Sequence, residues 1–222
     1  TGLPSTCSVA AAPAAVRATT GLPSTCSARS TRHQRALERH LGLRVDGRNS
    51  PTDCGAIKAF QKRNGVRGAS GTATALTAGI ARRLDLALSR TDECQKGALV
   101  VCADLDSQTV WIAERGTVVF GPFPMRSGRP KFESDAGSFS VFLKSRHHFS
   151  SQYEVPMPYA MFYNNGEALH VSRRYLYRGK GTHGCVQILP EVAPEMWRRI
   201  GVGTRVHVFG SGSGGSTGTR QF

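Results

Sequence analysis

Carboxylates are scarce in this chain. Its 222 residues carry 15 Asp and Glu against 29 Lys and Arg, for a formal charge of +14 and a sequence pI near 10.2. Such a surplus calls for an anionic surrounding or partner, nucleic acid being one and a bacterial wall bearing carboxylates and phosphates another. The basic residues form no dense run, however: Arg32, Arg35 and Arg39, then Arg82 and Arg83, then Arg173, Arg174 and Arg178 lie far apart. No zinc-finger or RNA-recognition signature accompanies them, so no nucleic-acid partner is expected. Long apolar runs are also missing. Nothing approaches the ~20 residues that cross a bilayer, so no membrane span is expected. No basic-then-apolar leader opens the chain at Thr1; were the protein secreted, its signal peptide would already be gone. Hydrophobic residues still make up 39% of the chain, enough for one large core or two modest ones.

The six cysteines, Cys7, Cys26, Cys54, Cys94, Cys102 and Cys185, include no C-x-x-C pair, which argues against a structural zinc site. Cys94 and Cys102 bracket a short turn-like segment and can bridge. Cys26 and Cys54 flank the first predicted helix and can also pair, leaving Cys7 and Cys185. The alternative is six unrelated buried thiols. Disulfides would place the protein in an oxidising, extracytoplasmic compartment.

The segment Thr1-Gly2-Leu3-Pro4-Ser5-Thr6-Cys7-Ser8 recurs word for word at 20–27, with an Ala- and Pro-rich stretch between. Residues 1–27 read as a flexible arm; one duplication does not make a repeat architecture. At the other end, 211–222 is a Gly- and Ser-rich tail. Between them the hydrophobic period is first helical and then that of strands. Ala36, Leu37 and Leu41, then Ala56, Ile57 and Phe60, then Leu76, Ile80 and Leu84 form apolar stripes, with glycine-bearing breaks at Val45-Asp46-Gly47 and 65–71. They predict a small three-helix unit over 28–90. From 97 to 210 the texture is that of strands, expected at 99–102, 109–112, 117–120, 138–143, 168–171, 185–189 and 205–209. One helix is expected at 191–200, with Pro190 near its start and Gly201 just past its end. The fold class predicted is α+β and multidomain: three helices, then a mainly-β unit.

Reaction chemistry concentrates in Thr182-His183-Gly184-Cys185, with His170 fifteen positions before the cysteine. A thiol becomes a useful nucleophile near neutral pH when a base or a positive environment raises its thiolate fraction. His147 and His148 suggest a metal, but adjacent strand residues point to opposite faces and no third ligand lies near. They read as surface or loop residues, and no metal is expected. Tyr159, Phe162, Tyr163, Tyr175 and Tyr177 can wall a groove or simply pack a core. Tyr159 is the one retained as a substrate contact.

Taken together, these residues resemble the L,D-transpeptidase catalytic domain (YkuD type) of bacterial cell-wall enzymes. That family carries a histidine on one strand and, some fifteen residues later, Ser/Thr-His-Gly-Cys followed by an apolar residue. His170 and Thr182-His183-Gly184-Cys185-Val186 match, supported by Met157-Pro158-Tyr159 and Asn165-Gly166-Glu167-Ala168-Leu169-His170. Gln187 departs from the family's usual Asn. The helical unit resembles a peptidoglycan-binding domain through Val45-Asp46-Gly47 and Cys54-Gly55-Ala56-Ile57-Lys58-Ala59-Phe60-Gln61-Lys62-Arg63-Asn64-Gly65. The cysteine layout looks like that of secreted actinobacterial members.

The resemblance implies a secreted cell-wall enzyme acting on peptidoglycan. In it Cys185 attacks the third-position diamino acid of a stem tetrapeptide, releases D-Ala and forms a thioester that a neighbouring stem's amine resolves. His170 becomes the base, oriented by a backbone carbonyl near Val171 or Ser172. His183 and Gly184, with Cys185, become sources of oxyanion donors, and Ser172, Thr182, Gln187 and Tyr159 substrate-side residues. No cofactor is implied. Peptidoglycan stems and strands, anionic wall polymers and, as covalent inhibitors, carbapenems are the implied partners. The competing readings are a cysteine-dependent L,D-carboxypeptidase or peptidase of the wall, and a catalytically silent wall-binding protein.

Overall fold

A computed structural model describes residues 26, 28–94, 97–179 and 181–211. The duplicated arm, Cys26 apart, and the Gly/Ser tail beyond Ser211 lie outside the described residues. Three helices come first: α1 (Gln34–His40), α2 (Pro51–Arg63) and α3 (Ala75–Leu88). Local signals fix their starts. Ser50 and Asp53 form a reciprocal capping box at α2, with Pro51 in its first turn, and the Thr74 hydroxyl caps α3 through the Thr77 N–H. The apolar stripes meet in one small core of Leu37, Ile57, Phe60, Ile80, Ala81 and Leu84.

The rest is a nine-stranded sheet with one helix. Its strands are β1 (Leu99–Asp104), β2 (Thr109–Glu114), β3 (Thr117–Arg126), β4 (Gly137–Ser140), β5 (Leu143–Ser150), β6 (Val155–Asn164), β7 (Glu167–Val171), β8 (Val186–Ile188) and β9 (Arg205–Phe209). α4 (Ala193–Arg199) buries Met196 against them. Across the sheet the order is β4-β9-β1-β2-β3-β8-β7-β6-β5. β3 joins the two halves: residues up to Pro124 pair with β2, while Met125 and Arg126 pair with β8. The two edge strands, β4 and β5, are consecutive in sequence and separated only by Val141 and Phe142. Three residue steps span at most about 11 Å, so the sheet must curl until its edges nearly meet. The main core, including Val101, Ile112, Leu169, Val186, Ile188 and Met196, fills that curl.

The structure corrects two strand expectations. The single strand read at 138–143 is two, because the chain crosses there from one sheet edge to the other. The β5–β6 hairpin was not anticipated; His147 and His148 lie on its strand β5, His147 exposed at the surface as expected and His148 packing on Phe162.

The helices cover the sheet rather than dangle from it. α3 lies against β2 and β3. Tyr177 packs on both cores and its hydroxyl donates to the Asn64 carbonyl. The Arg67 N–H donates to the Tyr175 hydroxyl at 3.2 Å, with the Arg67 guanidinium 4.7 Å from that ring. Gly65 has φ +65°, and a Cβ there would come within 2.7 Å of Leu189 Cδ2.

Cys26 pairs with Cys54 and Cys94 with Cys102, 28 and 8 residues apart in sequence. Cys102 is fully buried beside Trp111 in a smaller core that also holds Ala87 of α3. In the chain-entropy account so short a loop stabilises by about 2.5 kcal/mol. The paired substitution Cys94→Ala/Cys102→Ala is expected to lower the free energy of unfolding by about that amount in a urea titration. An unchanged midpoint would show that the bridge adds nothing.

Candidate active site

β7 and β8 run side by side and parallel, with His170 opposite Gln187. Side chains alternate along a strand, so Cys185, two residues ahead of Gln187, stays on the face that carries His170. His170, Ser172, Thr182, His183, Cys185 and Gln187 all line one cleft of about 570 Å³.

His170 is 5% exposed, and its Nδ1 lies 2.7 Å from the Val171 carbonyl oxygen. A carbonyl can only accept, so Nδ1 carries the hydrogen and Nε2 keeps a lone pair. Burial holds the pKa of this ring down to about 4; the Val171 bond opposes the shift, and the charges of His148 and Arg126 add to it. The ring is therefore neutral at ordinary pH. Burial also pushes the Cys185 thiol up, with Glu167 adding to the effect and the Ala168 amide pulling back. The Sγ sits 3.7 Å from the Gly166 carbonyl. Both shifts favour a thiol beside a neutral imidazole at rest.

The turn that presents Cys185 is pinned at each end. Thr182 Oγ1 donates to the Cys185 carbonyl at 2.6 Å, and the Thr182 N–H donates to Ser127 O at 2.9 Å. Ser134 Oγ donates to the Gly184 carbonyl. In a trans peptide the following N–H points the opposite way, so this bond also aims the Cys185 N–H. Gly184 has φ +106°, and a Cβ there would meet Glu167 Oε1 at 2.8 Å. The backbone conformation favours glycine, and a side chain would have to displace the Glu167 carboxylate. Glu167 is buried and takes the Asp135 N–H at 3.1 Å; burial raises its pKa. The Tyr163 phenol sits close enough for each group to perturb the other, although its hydroxyl makes no bond of normal geometry.

The His183 ring is exposed rather than tucked against the sulfur. It lies between Phe132, edge-on at 4.7 Å, and Tyr153, stacked at 4.7 Å. Its Nε2 is 2.6 Å from Arg129 Nη2. Guanidinium only donates, so Nε2 accepts; desolvation first, then the Arg129 charge, lower the pKa of the ring.

Gln187 Oε1 accepts from Arg126 Nε at 3.0 Å and Nη2 at 2.6 Å. The same guanidinium donates to the Tyr175 and Arg178 carbonyls, tying β3 and β8 to the loop that borders the cleft. Tyr159 departs from expectation. It sits at a left-handed kink in β6 (φ +58°), outside the cleft, with its ring edge-on to Trp197. Tyr153 is the aromatic that reaches the cleft. Sequence reasoning also passed over Arg126, Arg129 and Ser134, and named Glu167 only as part of the stretch leading to His170. Among the described residues no cluster of ligating side chains could hold a metal ion.

The sequence profile of the L,D-transpeptidase catalytic domain (YkuD) matches residues 98–208. A solved L,D-transpeptidase from Stackebrandtia nassauensis is 36% identical, with a TM-score of 0.80 over 87% of this chain and 100% of its own. An L,D-transpeptidase from Mycobacterium smegmatis is 22% identical (TM-score 0.47; 51% of this chain, 59% of its own). L,D-transpeptidase 3 from Mycobacterium tuberculosis, solved in complex with a faropenem-derived adduct, is 21% identical (TM-score 0.45; 51% and 60%). A search of the curated proteins finds no match.

Proposed function

The chain belongs to the L,D-transpeptidase catalytic-domain (YkuD) family, and from that premise we propose that it crosslinks peptidoglycan stems through a thioester on Cys185. The observation that carries this reading is the shared cleft: a thiol on a pinned turn and a buried, single-tautomer imidazole on one face of β7–β8.

The Sγ attacks the carbonyl carbon of the third-position diamino acid while its proton passes to His170 Nε2. Starting from a neutral pair, the proton moves as the S–C bond forms. The oxyanion that develops is met by backbone N–H groups of the His183–Gly184–Cys185 turn, where one donor is typically worth ~2.7–4 kcal/mol. Collapse breaks the C–N bond; the departing D-Ala amine takes the proton from His170 and the thioester remains. A neighbouring stem's side-chain amine then attacks, giving a proton to His170, and Cys185 leaves as the thiol. Water in place of the amine gives carboxypeptidase action. Carbapenems acylate the same sulfur by ring opening.

The helical unit serves as the wall-binding part, in keeping with the cationic chain and the likeness of its 45–65 segment to peptidoglycan-binding domains. The two disulfides fit an oxidising, extracytoplasmic compartment, and with it a secreted protein of the cell wall. Incubation with purified stem tetrapeptides, followed by mass spectrometry of the products, tests the reading. Dimers joined between third positions are expected. Tripeptides alone would make the protein a carboxypeptidase, and no product with no Cys185 adduct would make it a silent wall binder.

A further inference from the structure

Resting on that reading, we propose that Arg129 is the residue that holds the terminal carboxylate of the stem. Arg129 lines the cleft with Cys185. It is also built into the turn that presents the nucleophile. Its N–H donates to the Thr182 carbonyl at 3.1 Å, and a Cβ on Gly181 would strike its backbone N at 3.0 Å. Its guanidinium lies over the Phe132 ring at 4.6 Å and gives one N–H to His183 Nε2. The fork is thus held before any ligand arrives, which spares the ordering cost of a long side chain.

What it lacks is an anion. Among the described residues no carboxylate pairs with Arg129, and its bond to His183 leaves further N–H donors open. Its surroundings are equally one-sided. Arg126, Arg174 and Arg178 line the same cleft, where Glu167 is the acidic side chain, and that carboxylate already takes the Asp135 N–H. A cationic recess around a thiol that opens peptide bonds suits a substrate whose negative charge lies one residue past the bond being cut. That step is ~3.8 Å from Cα to Cα, and His183, the partner of Arg129, stands two residues ahead of Cys185. A terminal carboxylate meets both requirements. A planar guanidinium fork also matches a carboxylate in two-point contact.

The test separates this inference from turnover by using Cys185→Ala, which can bind a stem but not open it. Calorimetric Kd values are measured for three tetrapeptides: free acid, terminal carboxamide, and free acid with its inner glutamate amidated. The free acid is expected to bind about 10- to 100-fold tighter than the carboxamide, the range of one hydrogen bond to a charged group. Inner amidation should change little. Arg129→Gln on the same background should collapse that ratio towards one by weakening the free acid alone, and Arg129→Lys should keep part of it. The Lys variant also serves if the Gln variant fails to fold. A ratio unmoved by either substitution, equal binding of acid and carboxamide, or a preference that follows the inner carboxylate would each overturn the assignment. Arg129-dependent selection in a protein that makes no product would instead overturn the transpeptidase reading and leave this one standing.

Discussion

Cys185→Ala is expected to abolish crosslink formation, with a loss of about 10⁴- to 10⁶-fold, the scale seen when the nucleophile of a catalytic unit is removed. Whole-protein mass spectrometry gives the sharper readout. Wild type incubated with a carbapenem should gain the mass of one inhibitor at Cys185, and the variant should gain none. Four of the other cysteines are closed to acylation, since Cys26, Cys54, Cys94 and Cys102 form disulfides; Cys7 lies outside the described residues, and peptide mapping separates an adduct there from one at Cys185. The substitution should leave the fold intact, because the Thr182 and Ser134 bonds engage backbone carbonyls rather than the sulfur. Binding to purified wall should likewise persist. Acylation that survives in the variant would move the nucleophile elsewhere.

The second large effect belongs to His170. His170→Ala should slow acylation by about 10²- to 10⁴-fold, the usual contribution of a positioned general base. The wild-type pH profile is the more telling measurement. With its pKa held near 4 by burial, the imidazole stays a competent base well below the ordinary histidine value. The acidic limb of kcat/KM should therefore fall near pH 4 rather than near 6.5. Because the thiol is pushed up, alkylation of Cys185 by iodoacetamide should be slow at pH 7 and accelerate only in alkaline solution. A thiolate–imidazolium pair at rest would reverse both observations. Stability carries the same sign. The unfolded chain takes up a proton below about 6.5 where the folded chain does not, so stability is complete above that pH. It falls between about 6.5 and 4, by at most about 3 kcal/mol.

Much of this was readable in the residues and some was not, for physical reasons. The T-H-G-C turn and His170 stood out because reactive side chains, glycine and an apolar strand coincide there. The helices announced themselves through apolar stripes and the Ser50–Asp53 box. The β5–β6 hairpin did not. β5 is an edge strand reading Leu-Lys-Ser-Arg-His-His-Phe-Ser, with a single buried residue and no alternation, and β6 carries Pro156 and Pro158. Both prolines face β5, opposite Phe149 and His147. The arginine-lined recess was hidden for another reason. Arg126, Arg129, Arg174 and Arg178 come from distant stretches, and only the curl of the sheet gathers them. Tyr159 misled because an aromatic beside a plausible motif looks like a groove wall, whereas a left-handed residue in β6 turns it onto Trp197.

The seam between helices and sheet sets how the molecule can be cut. Tyr177 is shared by both cores, Leu189 nests against Gly65, and Trp111 has Ala87 of α3 in its neighbourhood. A fragment begun at residue 97 would strip these greasy faces bare and lose the Cys94 half of a bridge. Such a truncation should clump on expression, while the piece that keeps both halves stays dispersed.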